Sequence, residues 1–201
     1  MASRAEKKDS LKTRLIEAAK ARIIAGGLES LRARDITNDA GCALGALYTA
    51  FADLDALVIE VNSATLREID QVMLAALDGI EEAAEQMHVL AATYLAFART
   101  HERRWRTLFD LKIPEGKAIP DWYIADQALL LTRIVGPLRL LQPDFTETEL
   151  MIRARTLFAA VHGIVTISLD RRFVGIRADT LDTELMRFIG LLLKGLKSEG
   201  R

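Results

Sequence analysis

The sequence predicts an all-α protein of nine or ten helices in two parts, a small N-terminal head and a larger C-terminal body. Three observations carry this. Apolar residues recur every three or four positions along almost the whole chain, the period of an amphipathic helix and not of a strand. Alanine and leucine are abundant while β-branched runs are short and scattered, which favours helix over sheet. Most of the periodic segments end at glycine or proline, as helices do. With 201 residues, half of them apolar, the chain can bury a core in one large or two small units.

Residues 1 to 9, with Arg4, Glu6, Lys7, Lys8 and Asp9, read as a short charged arm. Leu11, Leu15, Ala18, Ala19 and Ile23 follow at helical spacing until Gly26-Gly27, where a left-handed cap stops the helix. Two short helices come next. Ile36 and Ala40 share one face of the first, Leu47 and Phe51 one face of the second, and Gly41 marks the corner between them. Asp53 or Asp55 can cap a long fourth helix through Leu57, Val61, Leu66, Ile69 and Met73 to Asp78-Gly79, about 24 residues or ~36 Å. A further helix spans roughly 82 to 101, and Arg99, His101, Arg103, Arg104 and Arg106 then cluster around Trp105 and Phe109. Pro114, Gly116 and Pro120 mark a loop from Asp110. Asp121 starts the next helix, which Gly136-Pro137 should kink or break before it ends at Gln142-Pro143-Asp144. Thr146 with Glu149 forms a capping box opening a helix through Leu150, Ala154, Leu157, Val161 and Leu169, with Arg171-Arg172 suited to its negative pole. The last helix, about 179 to 197, has an apolar arc broad enough to face a second subunit as well as its own domain.

Two helices of about two turns each cannot bury a core alone, so the pair within 27 to 57 must present a surface. Gly27, Ile36, Ala40, Gly41, Gly45, Leu47, Tyr48, Phe51 and Leu57 match, in order and spacing, the helix-turn-helix pattern of the tetracycline-repressor (TetR) family of bacterial transcriptional regulators. The stretch resembles that family over about thirty residues. The resemblance implies a DNA-binding domain over 1–53 and an effector-binding and dimerisation domain over 54–201. It also implies a reading helix over 43 to 50, with Ala43, Leu44, Gly45 and Ala46 at the base edges and Tyr48 and Thr49 on phosphates.

Departures from the pattern fall at Thr37, Ala43, Ala46, Ala50 and Leu54. The last stands where the family usually has a phosphate-clamping lysine. Arg32 and Arg34 can compensate, since the planar guanidinium fits the O6/N7 pair of guanine and Arg34 lies where some members read that base. Arg4, Lys7 and Lys8 can add backbone or minor-groove contacts. The charge distribution agrees: residues 1 to 50 hold nine Lys/Arg against six Asp/Glu, a net of +3, and the remainder nets −4.

In the body, Met87, Tyr94, Phe97, Trp105, Phe109, Trp122, Tyr123, Phe158 and His162 gather most of the 12 aromatic residues and make a ligand pocket plausible. Thr93, His101, Gln127 and Arg133 can orient the ligand. Phe158-Ala-Ala-Val-His162-Gly163 resembles a Trp-x-x-x-His-Gly signature of one class of the family's C-terminal domains, with phenylalanine in place of tryptophan. In the family, a small, mostly apolar effector bound there swings the long fourth helix and separates the two heads.

Other classes find less support. The single cysteine, Cys42, excludes an internal disulfide, and the three histidines are too far apart in sequence for a metal motif. No phosphate loop, nucleophile elbow or paired-carboxylate motif points to an enzyme, and no cofactor is expected. No membrane span or secretory signal is expected, which places the protein in the cytoplasm. The expected partners are double-stranded DNA as a palindromic operator, a small-molecule effector, and a second copy joined through helices 146–172 and 179–197. The function expected is a ligand-responsive regulator, a repressor. The alternative is a helical interaction module, or a regulator relative with weak or lost DNA binding.

Overall fold

The structure is a computed structural model that describes residues 4–170 and 174–199. Among the described residues there are nine α-helices, one 3-10 turn and no strand: α1 Arg4–Gly26, the turn Leu28–Ser30, α2 Ala33–Asp39, α3 Leu44–Ala50, α4 Leu54–Ala76, α5 Ala83–Thr100, α6 Glu102–Asp110, α7 Asp121–Leu141, α8 Glu147–Leu169 and α9 Leu181–Glu199. The Arg171-Arg172 pair lies outside the described residues.

One expectation is corrected, and one of two alternatives, a break at Pro137, is removed. The arm is helical from Arg4 onward, with Glu6 in the first turn where an acidic group suits the helix dipole. α7 runs through Pro137 to Leu141 without a break. Pro137 removes only one backbone donor, and tertiary anchors hold the helical course on both sides of it. Arg133 is bound to Asp70, Leu138 is fully buried, and the Gln142 amide donates to the Leu196 carbonyl at 2.5 Å. The segment that read only as a basic cluster is α6, where Arg106 pairs with Glu102 one turn back.

The chain packs as two compact units, one of Met1–Leu66 with His101–Asp126, the other of Arg67–Thr100 with Gln127–Arg201. Two of the divisions fall inside α4 and α7, and α6 belongs with the head.

In the first unit, Leu15, Ala19 and Ile23 of α1, Ile36 and Ala40 at α2, Leu47 of α3, Phe51, and Leu57 and Val61 of α4 form one buried cluster. Ile36, Ala40, Leu47, Phe51 and Leu57 among them are the apolar positions of the helix-turn-helix pattern, so the pattern is that of a core. Gly27 and Gly41 sit at φ 77° and 63°, a region where any side chain is strained. The Arg14 guanidinium donates to the Ala40 carbonyl at 2.6 Å and so closes the end of α2. From α6, Arg103 donates to the carbonyls of Ile24 and Ala25 at the end of α1. Behind the core lies a polar layer. Asn62 donates to the Thr107 carbonyl at 3.1 Å, and Ser63 donates to the Asp126 carboxylate at 2.5 Å.

In the second unit, α5 buries Leu90, Ala91, Tyr94, Leu95 and Ala98 and packs chiefly on α9, whose Leu181, Leu185, Ile189, Leu193 and Leu196 are buried. The expected capping box opens α8: Thr146 accepts from the Glu149 amide at 3.3 Å and Glu149 accepts from the Thr146 amide at 2.8 Å. By length and composition alone α8 is long and apolar enough to cross a membrane. Leu150, Ala154, Leu157, Val161 and Val165 give it one buried stripe, as in a helix packed on a core.

Candidate functional site

The candidate reading surface lies on α2 and α3. Leu47 is buried while Tyr48 beside it is 55% exposed, because successive helical positions are 100° apart and only one can face the core. Ala43, Leu44, Gly45 and Thr49 are exposed on the same short helix, and Ala46 is half-buried. The start of α3 therefore offers apolar atoms and backbone, with hydroxyls only further along at Tyr48 and Thr49. Thr49 returns its hydroxyl to the Gly45 carbonyl at 3.0 Å.

The basic residues of the head divide into two groups. Arg14 is occupied at the Ala40 carbonyl, and Arg22 is paired with Asp39 at 2.6 Å and with Asp35 at 3.4 Å. The hydrogen bond from Arg22 holds the Asp39 carboxyl below its usual range. Arg32, the residue before α2, uses one guanidinium nitrogen on the carbonyls of Glu29 and Leu31, both at 2.8 Å. Arg34 stands exposed on α2, and Lys7, Lys8 and Lys12 lie on α1. Lys12 is half-buried, with its ammonium 5.6 Å from the centre of the Phe51 ring. The side chain of Arg4 lies outside the described residues.

Three of the departures from the family pattern, Thr37, Ala50 and Leu54, have local reasons. Thr37 is buried but bonds its hydroxyl to the Ala33 and Arg34 carbonyls, both at 3.0 Å. Leu54, Ala50 and Cys42 pack against the head core. At the start of α4, Asp53 accepts the Ala56 amide at 2.8 Å. Lys117, from the loop before α7, reaches Asp53 and Asp55 at 2.8 and 2.9 Å. That ammonium, with the Ala56 amide, holds the Asp53 carboxyl below its usual range.

The second unit contains a cavity of about 40 Å³. Met87, Tyr94 and Phe158, of the residues expected at a ligand, line it. The rest of the lining is aliphatic: Met73 on α4, Leu90 and Ala91 on α5, Leu130 and Ile134 on α7, Leu157 and Val161 on α8, and Ile189 on α9. Sequence reasoning did not single out these lining residues because aliphatic residues at helical spacing carry no signal beyond core packing. Phe97 is buried on α5 but is not part of the lining. Trp105, Phe109, Trp122 and Tyr123 belong to the first unit, where Trp105 and Phe109 pack edge to face at 5.6 Å, and Trp122 and Tyr123 at 6.0 Å. Of the expected polar contacts, Arg133 is committed to Asp70 in the second unit, and His101 precedes α6 in the first.

His162 stands half-buried behind the cavity wall. Its ring stacks on Phe158 at 5.7 Å, and its Nδ1 lies 2.9 Å from the Tyr94 hydroxyl. Nε2 lies 3.3 Å from the Thr166 hydroxyl. A neutral ring satisfies both, accepting from Tyr94 and donating to Thr166. Burial pushes the imidazole below its ordinary value. The sign of the linkage follows. The unfolded chain takes up this proton before the folded one does, so the stabilisation is complete above about pH 6.5. It is lost as the pH falls below that value towards the folded one. We expect the melting temperature to fall on acidification below that point, and a His162→Gln variant to lose part of that fall. Identical profiles for the two proteins would remove His162 as the cause. Among the described residues, no group of three His, Cys, Asp or Glu side chains could hold a metal ion.

The family model of the tetracyclin repressor-like C-terminal domain matches residues 87–191. The chain belongs to this family. The match covers α5 from Met87 onward, α6 to α8 and about half of α9. No curated protein matches in sequence. Solved structures share the fold. A protein of unknown function from Rhodococcus sp. RHA1 aligns with a TM-score of 0.75 at 20% identity, over 93% of this chain and 95% of that one. RolR in complex with resorcinol aligns with a TM-score of 0.66 at 19% identity, over 97% and 95%. FadR from Bacillus subtilis in complex with stearoyl-CoA aligns with a TM-score of 0.64 at 15% identity, over 94% and 98%.

Proposed function

We propose that this TetR-family protein is a ligand-responsive transcriptional regulator that acts by binding and not by catalysis. It is read as a cytoplasmic homodimer and a repressor, released from a palindromic operator by a small apolar effector. The observation that carries the reading is the division of α2 and α3. Their buried side holds the family's core positions, while Arg34, Leu44, Tyr48 and Thr49 stand outward on a head with a net charge of +3 over residues 1–50. Exposed arginine and tyrosine on such a pair suit phosphate and guanine contacts in a major groove.

The ligand-bound structures of RolR and FadR support effector binding in a fold of this kind. The coupling route is one helix. Leu57 and Val61 of α4 are in the head core, and Met73 of the same helix lines the cavity. The dimer is read from the apolar residues that α8 and α9 leave outside, Ile152, Ile167 and Leu191. Two-fold symmetry then requires operator half-sites about one turn, ~34 Å, or a multiple apart.

Selection of bound fragments from random DNA tests the reading, with enrichment of a palindrome expected. Arg34→Ala should cost about 1–3 kcal/mol of operator affinity and relax preference at one base pair. Tyr48→Phe should weaken binding evenly across sequences. Gel-shift titration at fixed salt measures both. A second reading, a relative with weak or lost DNA binding, draws on the absence of hydrogen-bonding side chains at Ala43, Leu44, Gly45 and Ala46. It prevails if no fragment is enriched.

A further inference from the structure

The cavity in the second unit is chemically one-sided, and we infer that its ligand is a compact, uncharged hydrocarbon-like molecule of single-ring size, with carboxylates and other anions excluded. This rests on the reading of the cavity as the effector site. Tyr94 brings the lining its one polar side-chain atom, and that hydroxyl lies 2.9 Å from His162 Nδ1. It is therefore committed before any ligand arrives.

Charge is withheld in the same way. Arg133 stands next to the lining residue Ile134, and Asp70 lies three residues before Met73 on the same helix. They bind each other through two bonds of 2.6 and 2.9 Å. An anion entering such a wall loses its hydration and meets no cation among the lining residues, while the Tyr94 hydroxyl is already bonded to His162, a penalty of several kcal/mol or more. An apolar guest loses nothing of the kind and gains dispersion contacts with the lining. The volume of about 40 Å³ limits the guest to a single ring at most. A single ring fits only if some side chains give way, and the two methionines, Met73 and Met87, are the unbranched groups able to do so.

The test uses the full chain, with toluene and benzoate as probes of nearly equal shape and opposite character. Toluene should raise the melting temperature by several degrees, increasingly with concentration, and benzoate should not. Two variants place the effect in this cavity. Ala91→Leu fills it and should abolish the toluene shift. Leu157→Ala enlarges it and should bring a comparable shift with naphthalene, which the parent lacks; this variant decides the matter if Ala91→Leu does not fold. Equal stabilisation by benzoate overturns the assigned class, as does no shift with toluene. A toluene shift unaffected by either substitution overturns the assigned site. Failure of the regulator reading looks different: toluene binds as described, yet the chain retains no DNA fragment.

Discussion

Arg133→Ala should destabilise the protein by about 3–5 kcal/mol, far more than the loss of an ordinary surface ion pair. The Asp70 side chain is 6% exposed, and Arg133, at 26%, holds it with two parallel bonds from Nε and Nη2. Removing the guanidinium strands a carboxylate in a place that water barely reaches, and the cost comes from that charge more than from the lost attraction. The compensating change makes the argument testable. Asp70→Leu with Arg133→Met removes both charges and fills similar volume, so most of the lost stability should return. Urea unfolding of the parent, the single variant and the double variant gives the three values. A single variant within about 1 kcal/mol of the parent would mean that Asp70 finds water or another donor, as surface pairs do.

Ile152→Glu combined with Ile167→Glu should convert a dimer to a monomer and lower operator affinity on the order of 100-fold or more. On α8, Ile152, Thr156, Ala159, Gly163 and Ile167 follow at spacings of four, three, four and four, which is one helical face. Ile152 is 58% exposed and Ile167 40%, and Leu191 on α9 is 62% exposed. The small residues between the isoleucines let a second helix approach closely, and glutamates there would bury unpaired charge in the contact. The substitutions lie on solvent-facing positions, so each subunit should keep its fold. Sedimentation equilibrium reports the assembly and gel shift the affinity. A double variant that remains a dimer would move the interface off this face.

The head was legible because its signal is burial. Ile36, Ala40, Leu47, Phe51 and Leu57 are apolar at helical spacing and meet in one core. Other parts were hidden for definite reasons. A charged N-terminal segment looks the same as coil or as the exposed first turns of a helix, and only tertiary packing of Leu11 and Leu15 decides for helix. Pro137 is a local breaker outvoted by anchors from distant segments, which no local rule can see. The lining of the cavity was legible only in part because aromatic content does not say where a residue goes. Met87, Tyr94 and Phe158 came to the cavity, while Trp105, Phe109, Trp122 and Tyr123 fold into the other unit across a long sequence separation. The aliphatic lining carries no mark that separates a cavity wall from an ordinary core.

The bonds from Arg103 to the carbonyl end of α1, with Leu111 packed on the head core, have a consequence for biosynthesis. The head is a discontinuous folding unit. A ribosome that has released residues 1–66 has delivered every residue proposed to read DNA, but not the segment 101–126 that completes their support. Closing that loop is a non-local event with its own entropic cost. A fragment ending near residue 66 should therefore emerge as a loosely held bundle, and the proposed reading surface should become rigid only after residues 67–126 have also been made.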